Sequence, residues 1–93
     1  MAIQSFRRPV VADFFFHGAT SRREGWVAVA KVVARKLDML HYALKLEDLR
    51  SPPGGAEGRS QGFFSIRIND QWRVVFRWTA SGPDDVDVID YHG

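Results

Sequence analysis

The segment SIRINDQWRVVFRW at residues 65–78 decides the fold, because it reads as two strands joined by a tight turn. Apolar and polar side chains alternate on both sides of residues 69–71, and a period of two is typical of strands with one buried face. Placing Ile68 opposite Trp72 gives a simple hairpin register. The predicted core face then carries Phe64, Ile66, Ile68, Trp72, Val74, Phe76 and Trp78.

Helical patterns precede this hairpin. A short edge strand is predicted at residues 3–6, followed by a helix that starts near Pro9 and ends at Gly18, where a left-handed cap is usual. Ser21 and Glu24 have the spacing of a capping box, which predicts the start of a longer helix. Its apolar stripe recurs at three- and four-residue steps: Trp26, Val29, Val33, Leu37, Leu40 and Leu44.

The other elements follow from turn residues. The double proline and the glycines of residues 51–62 predict a surface loop, residues 81–84 a second turn, and residues 86–91 a third strand. The sequence therefore predicts an α+β fold in which a short N-terminal strand and two helices precede a three-stranded antiparallel meander.

Composition restricts the class of protein. Ninety-three residues, of which 45% are hydrophobic, predict a single domain over residues 1–93. The chain has no cysteine, which excludes disulfides and thiolate chemistry. We find no apolar stretch near the ~20 residues that cross a bilayer and no secretory signal, so we expect a cytoplasmic protein without membrane contacts. Ten Lys and Arg residues against six Asp and Glu in residues 1–60 hint at a nucleic-acid partner.

Three arginines share the non-core face of the predicted hairpin. Arg67 lies opposite Arg73, and Arg77 follows four residues later on the same face; we call these three residues the arginine face. Like charges across a strand pair repel, so an anion such as phosphate between them is one interpretation. The other is a solvated face balanced by nearby aspartates. If Ile89 neighbours Val75, then Asp87 lies beside Arg77 and Tyr91 beside Arg73.

The chain closes with Asp90-Tyr91-His92-Gly93. RNA carries its own nucleophile, the 2′-hydroxyl, so a protein that cleaves it needs a base, an acid and positive charge at the phosphate. His92 titrates near neutral pH and suits either proton-transfer role. A frayed terminal histidine without function is the alternative. The three histidines and the carboxylates lack metal-ligand spacing, so neither a metal nor another cofactor is expected.

Taken together, these motifs resemble the HigB-like toxins of the RelE superfamily, also called plasmid maintenance system killer proteins. The matching stretches run in order along nearly the whole chain: IQSF at 3–6, RKLDMLHYAL at 35–44, LRSPPG at 49–54, SIRINDQWRVVFRW at 65–78 and VDVIDYH at 86–92.

The resemblance implies the RelE-like, microbial-ribonuclease-type toxin fold and an mRNA interferase that cuts translated messages in the ribosomal A site. It also implies a helix-turn-helix antitoxin (HigA-like), through which promoter DNA is bound and which covers either the arginine face or the helices. The family's active-site positions fall on Arg73, Asp90, Tyr91 and His92. Either Asp90 or His92 is the base and the other the acid. The weaker candidates for RNA contacts are Arg59, Arg67, Arg23, Arg35 and Lys36.

One segment departs from the family pattern. Relatives usually carry a longer stretch resembling L-x-x-L-K-G-D-R-x-G before the hairpin, whereas residues 54–62 read GGAEGRSQG and retain only Arg59 and Gly62. Two hypotheses follow. The protein is a ribosome-dependent endoribonuclease, or it is a disabled toxin-like protein that acts by binding its antitoxin and modulating repression. A free-standing nucleic-acid-binding module is third, because the aromatic residues fall mainly on the predicted core face.

Overall fold

In the computed structural model, which describes residues 1–50, 55–58 and 62–91, helices precede one antiparallel sheet. The sheet order is β1-β2-β3-β4, and the α+β class predicted from the sequence is confirmed. The helices are α1 (Pro9–His17), a 3₁₀ helix (Gly25–Val29), α2 (Ala30–Tyr42) and α3 (Glu47–Arg50); the strands are β1 (Glu57–Gly58), β2 (Phe63–Arg67), β3 (Trp72–Thr79) and β4 (Gly82–Asp90).

The β2–β3 hairpin has the predicted register. Arg67 pairs with Arg73, and the backbone N–H of Ile68 donates to the carbonyl of Trp72 at 2.9 Å. The side chain of Asn69 holds the turn, because its Oδ1 accepts from the backbone N–H of Gln71 at 2.9 Å and of Trp72 at 2.8 Å. Such side-chain capping is a common reason for asparagine in turns.

The predicted core face of this hairpin is confirmed. Ile66, Val74 and Phe76 are completely buried, and the other four predicted members pack against the core. Burying a side chain as large as Phe76 stabilises a fold by about 1.5–3 kcal/mol. The helices cover this face of the sheet with Val11, Phe14, Trp26, Val33, Leu37 and Leu40.

Helix α1 forms as its sequence predicts. Pro9 occupies the first turn, and Gly18 has φ 69° and donates its N–H to the carbonyl of Phe14 at 2.9 Å. A residue with a Cβ atom rarely adopts this left-handed conformation, which is why glycine ends the helix.

The second helix begins later than predicted, and the capping box is wrong. Glu24 does not return to the backbone of Ser21; its carboxylate accepts from Arg8 and from the indole N–H of Trp26 instead. A 3₁₀ helix follows, and α2 starts only at Ala30. The predicted stripe also fails at Leu44, which is 79% exposed because α2 ends at Tyr42.

The N-terminal segment makes less sheet than predicted. Residues 3–6 run beside β4, but only an isolated parallel bridge forms, between Phe6 and Val86. Backbone bonds join Val86 N–H to Ser5 at 3.1 Å and Arg7 N–H to Val86 at 2.8 Å. Pro9 turns the chain into α1 immediately afterwards, which leaves no room for a longer strand.

Two further predictions are corrected at the sheet edges. The second turn is tighter than predicted, since Gly82 already pairs with Thr79 and β4 includes Pro83 and Asp84. Glu57 and Gly58, predicted as loop, pair with β2 as a fourth strand. The rest of the loop predicted at residues 51–62, apart from residues 55, 56 and 62, lies outside the described residues. No helix in the described ranges is both long and apolar enough to cross a membrane.

Candidate active site

Arg73 and Tyr91 form a stacked pair on the arginine face. The guanidinium carbon of Arg73 lies 4.2 Å from the centre of the Tyr91 ring, well inside the range of a cation–π interaction. The N–H of Tyr91 donates to the carbonyl of Gln71 at 2.6 Å, which extends the β3–β4 pairing one residue beyond the strand. Tyr91 remains half exposed, so its ring is accessible from solvent.

The β3–β4 register from which this contact was predicted is wrong. Ile89 pairs with Arg73, and Val75 pairs with Asp87, so β4 is shifted by two residues from the predicted register. Tyr91 therefore reaches Arg73 diagonally across the strand pair, a separation that aromatic side chains can bridge. The predicted proximity holds, because the shifted strand still brings its end beside β3.

Arg73 has a donor that the protein does not use. Its Nε atom is buried and has no acceptor among the described residues. Leaving a buried donor without a partner costs about 1–3 kcal/mol, so an acceptor supplied by a ligand would restore the lost bond. Arg67 lies directly across the strand pair and is exposed, with its guanidinium paired to Asp70. A phosphate at Arg73 would thus sit between two positive side chains.

Asp90 does not lie with Arg73 and Tyr91. Asp90 is the cross-strand partner of Trp72. Cross-strand partners project from the same face of a sheet, so the carboxylate of Asp90 projects from the core face and the side chain of Arg73 from the opposite face. Gln71 Nε2 donates to Asp90 Oδ2 at 3.1 Å. The structure therefore brings together two of the predicted catalytic residues and places a third on the opposite face. His92 lies outside the described residues.

The predicted RNA-contacting residues are also divided between two surfaces. Arg67 shares a face with Arg73, whereas α2, which carries exposed Arg35 and half-buried Lys36, packs on the core face. Arg23 is exposed near the end of the sheet on the helical side. Arg59 lies outside the described residues.

Sequence reasoning missed a cluster formed by Arg8, Glu24 and Asp87, which we call the Arg8 cluster. Arg8 donates from Nε to Asp87 at 2.9 Å, from Nη1 to Glu24 at 2.9 Å and from Nη2 to the carbonyl of Val88 at 3.1 Å. Desolvation alone would lower the pKa of Arg8, but the bonds to both carboxylates outweigh it and raise the pKa above its ordinary value. The cluster thus ties the start of α1 to β4.

An open cleft of about 320 Å³ adjoins this cluster at the end of the sheet. It lies between the turn before the 3₁₀ helix and the last residues of β4, and we call it the end cleft. Its lining includes Arg23, Glu24, Trp72, Asp87 and Asp90. Within the part of the chain that the structure describes, no three His, Asp or Glu side chains are grouped as metal ligands would be.

Comparison with known proteins agrees with the motifs. The family model described as the RelE-like toxin of type II toxin-antitoxin systems, HigB, matches residues 4–92. Toxin HigB-1 of Vibrio cholerae is 40% identical over 55 residues, which is 55% of this chain and 58% of that protein. An uncharacterized protein of Haemophilus influenzae is 40% identical over 79 residues, 81% of this chain and 77% of that protein.

Proposed function

The chain belongs to the HigB-like toxins of type II toxin-antitoxin systems, and we propose that it is an endoribonuclease that cleaves messenger RNA on the ribosome. HigB- and RelE-like toxins are generally endoribonucleases, and a type II system implies an antitoxin partner. The observation that carries the proposal is the Arg73–Tyr91 pair, in which a buried, unused donor lies beneath an exposed aromatic ring.

The proposed reaction needs no metal, because RNA supplies the nucleophile. A base removes the proton of the 2′-hydroxyl, and the oxygen attacks the adjacent phosphorus. The bond to the 5′-oxygen breaks, and an acid gives that oxygen a proton. The products are a 2′,3′-cyclic phosphate and a free 5′-hydroxyl. Charge grows on the phosphate oxygens in the transition state, where a fixed guanidinium stabilises it most.

Each site residue has a proposed role. Arg73 binds the scissile phosphate through its unused Nε, and Arg67 adds positive charge from the neighbouring strand. The ring of Tyr91 orients the nucleotide by stacking. We assign the two proton transfers to Asp90 and His92, with either as the base; Asp90 takes part only if its carboxylate reaches round the end of the sheet from the core face, from which it projects. Arg59 is a weaker candidate for holding the RNA backbone.

We place the reaction in the cytoplasm, where translating ribosomes are. Arg23, Arg35 and Lys36 contact ribosomal RNA in this proposal while the arginine face engages the message. Such phosphate contacts release counterions, so binding to ribosomes should weaken steeply as salt rises. The partner is a HigA-like helix-turn-helix antitoxin, and promoter DNA is bound only through it.

A second candidate function is a disabled toxin that acts only through its antitoxin. The shortened segment at residues 54–62 favours it, since the lysine and the apolar anchors usual in relatives are missing. The Arg73–Tyr91 pair favours the enzyme, because a protein that only binds its antitoxin has no need to keep an arginine donor buried and unused.

The test is cleavage of a defined message, mapped by primer extension, with purified protein, with and without ribosomes, and with His92→Ala in parallel. We expect cuts that require ribosomes and that are lost, or reduced about 10²–10³-fold, in the variant. No cuts by folded wild-type protein would reject the enzyme and favour the disabled toxin. Cuts that need no ribosome would reject only the ribosomal step.

A further inference from the structure

Gln71 is exposed at the turn between β2 and β3, yet three of its polar groups are bonded within the protein. Its backbone N–H donates to Asn69 Oδ1 at 2.9 Å, and its carbonyl accepts from the N–H of Tyr91 at 2.6 Å. Its side-chain Nε2 donates to Asp90 Oδ2 at 3.1 Å. Two of these bonds thus reach consecutive residues at the end of β4, and both residues belong to the proposed active site.

The side-chain bond of Gln71 contributes more to orientation than to stability. Water satisfies the amide of an exposed glutamine almost equally well, so the net gain from such a bond is small. Ordering a glutamine side chain also costs conformational entropy. What the bond provides is a fixed donor, which helps to determine where one oxygen of the Asp90 carboxylate lies.

This bond joins two side chains that start from opposite faces of the sheet. Asp90 pairs with Trp72 and projects from the core face. Gln71 bonds to Tyr91 through its carbonyl and precedes Arg73 by two residues, so strand alternation, continued one residue beyond β3, starts its side chain on the face of Arg73. Side chains that start on opposite faces can meet only round the end of the sheet. The amide of Gln71 therefore draws the carboxylate of Asp90 toward the edge that adjoins the Arg73–Tyr91 pair.

We propose that Gln71 is a positioning residue of the active site, which holds the carboxylate of Asp90 at the end of the sheet for proton transfer. A group that transfers a proton must lie within hydrogen-bond reach of its target, and a misplacement of about 1 Å can cost about 10²-fold in rate. Asn69 supports the role, because its side chain fixes the backbone from which Gln71 extends. The inference rests on the proposed function, since Asp90 transfers a proton only if the protein cleaves RNA.

The first test compares single-turnover cleavage on programmed ribosomes by wild type, Gln71→Ala and Gln4→Ala. Gln4 is the matched control, because it is exposed and its Nε2 also donates within the chain, to the carbonyl of Ala2 at 2.8 Å. We expect Gln71→Ala to cut about tenfold more slowly on saturating ribosomes, as for a lost bond to a charged group. The half-saturating ribosome concentration and the urea midpoint should not change. Undiminished cleavage by Gln71→Ala, or an equal loss in Gln4→Ala, would overturn the proposal.

A double-mutant cycle tests whether Gln71 acts through Asp90. The backbone bond to Tyr91 persists in every variant, so the cycle isolates the side-chain bond. Adding Gln71→Ala to Asp90→Ala removes the positioning residue from a protein that already lacks the positioned group, and we expect no further slowing. A further loss as large as in the wild-type background would show that Gln71 acts independently, by contacting the message or supporting the turn, and would overturn the proposal.

A charge pair decides the question if Asp90→Ala leaves no measurable cleavage. Gln71→Lys keeps a donor to the carboxylate and should stay within about threefold of wild type, whereas Gln71→Glu repels the carboxylate and should lose about tenfold or more. Equal rates in the two variants would overturn the proposal.

Failure of this inference and failure of the proposed function give different results. No cleavage by folded wild-type protein would reject the endoribonuclease and the positioning role with it. Cleavage by wild type that is undiminished in Gln71→Ala would keep the enzyme and reject only the role of Gln71. Cleavage that falls in Gln71→Ala, but no further when Asp90→Ala is already present, would support both.

Discussion

Arg8 and Arg73 both lie on or beside the β3–β4 pair, but they differ in how far the protein satisfies their donors. Arg8 has its Nε, Nη1 and Nη2 bonded to two carboxylates and a backbone carbonyl. Arg73 keeps a buried Nε without an acceptor among the described residues and meets an aromatic ring instead. A guanidinium paired through all three of its nitrogens holds the fold, whereas one with a buried nitrogen that lacks an acceptor is placed to bind a ligand.

The same contrast holds for the acidic residues. Asp87 is almost completely buried, yet its charge is matched by Arg8 and by the backbone N–H of Val88. Asp90 is exposed at the end of β4. A carboxylate that transfers protons must be accessible, so Asp90 suits chemistry and Asp87 suits structure. The carboxylate that suits chemistry and the one that supports the fold are therefore three residues apart on one strand.

The largest effect on activity is expected at Arg73, and its absence would contradict the contrast drawn between Arg73 and Arg8. Arg73→Ala removes the donor that faces the phosphate, and we expect cleavage to fall about 10²–10³-fold. Its stability should change little, because the lost cation–π contact is worth about 0.5–1 kcal/mol at an accessible site. The measurement is the single-turnover cleavage rate on programmed ribosomes.

Arg77→Ala is the matched control, since Arg77 lies on the same strand and face and contacts Phe63 at 4.5 Å. It should retain most of the activity. If both variants lose activity equally, general positive charge rather than the donor of Arg73 is responsible, and the contrast with Arg8 is lost.

A smaller effect, on stability rather than rate, is expected at Arg8. Arg8→Ala leaves the buried carboxylate of Asp87 without its cation, and we expect the free energy of unfolding to fall by about 2 kcal/mol after allowing for the partial exposure of Arg8. Arg8→Lys should lose most of the same amount, because one ammonium cannot reach three acceptors in the geometry of a guanidinium. Urea titration of each variant measures the change.

The neighbouring residue supplies the control. Arg7→Ala removes an exposed ion pair with Asp85 and should cost less than about 1 kcal/mol. Equal losses in Arg7→Ala and Arg8→Ala would mean that the Arg8 cluster is only a surface network. A loss of cleavage in folded Arg8→Ala, beyond its stability change, would show that the cluster also positions the end of β4.

The hairpin could be predicted because its signal is local. Alternation over residues 65–78 and the turn at Asn69 fix both the register and the buried face without reference to the rest of the chain. The same is true of α1, whose Pro9 and Gly18 act on their own backbone. Arg67 was correctly placed opposite Arg73 for this reason.

The Arg8 cluster could not be predicted, because it joins residues 79 positions apart in the chain. Glu24 carried a local signal for a capping box, but a bond to Arg8 prevailed over that helix start. The β4 register failed for a related reason: Pro83 and Asp84 look like turn residues, yet they pair in an edge strand, where Pro83 needs no donor. The end cleft depends on both of these long-range contacts.

The smallest predicted effect is the pH dependence of the exposed ion pair between Arg7 and Asp85, which serves as a reference for the Arg8 cluster. The hydrogen bond from Arg7, together with its charge, lowers the pKa of Asp85 below its ordinary value of 3.8. A lowered folded-state pKa means that the stabilisation is fully present above the ordinary pKa and is lost as pH falls through the folded value. Asp85→Asn should therefore be less stable than wild type at neutral pH, by about 0.5 kcal/mol or less.

That difference should vanish in acid, and urea midpoints of both proteins from neutral pH down to about pH 2 measure it. Asparagine suits the test because Asp85 has φ 54°, a conformation that Asn tolerates and Ala does not. A stability difference that persists at the lowest pH would arise from the backbone conformation at residue 85 rather than from the charge. A stability difference that closes in acid and narrows in 1 M salt would measure what the exposed Arg7–Asp85 ion pair contributes. The effect of Arg8→Ala is to be compared with that value.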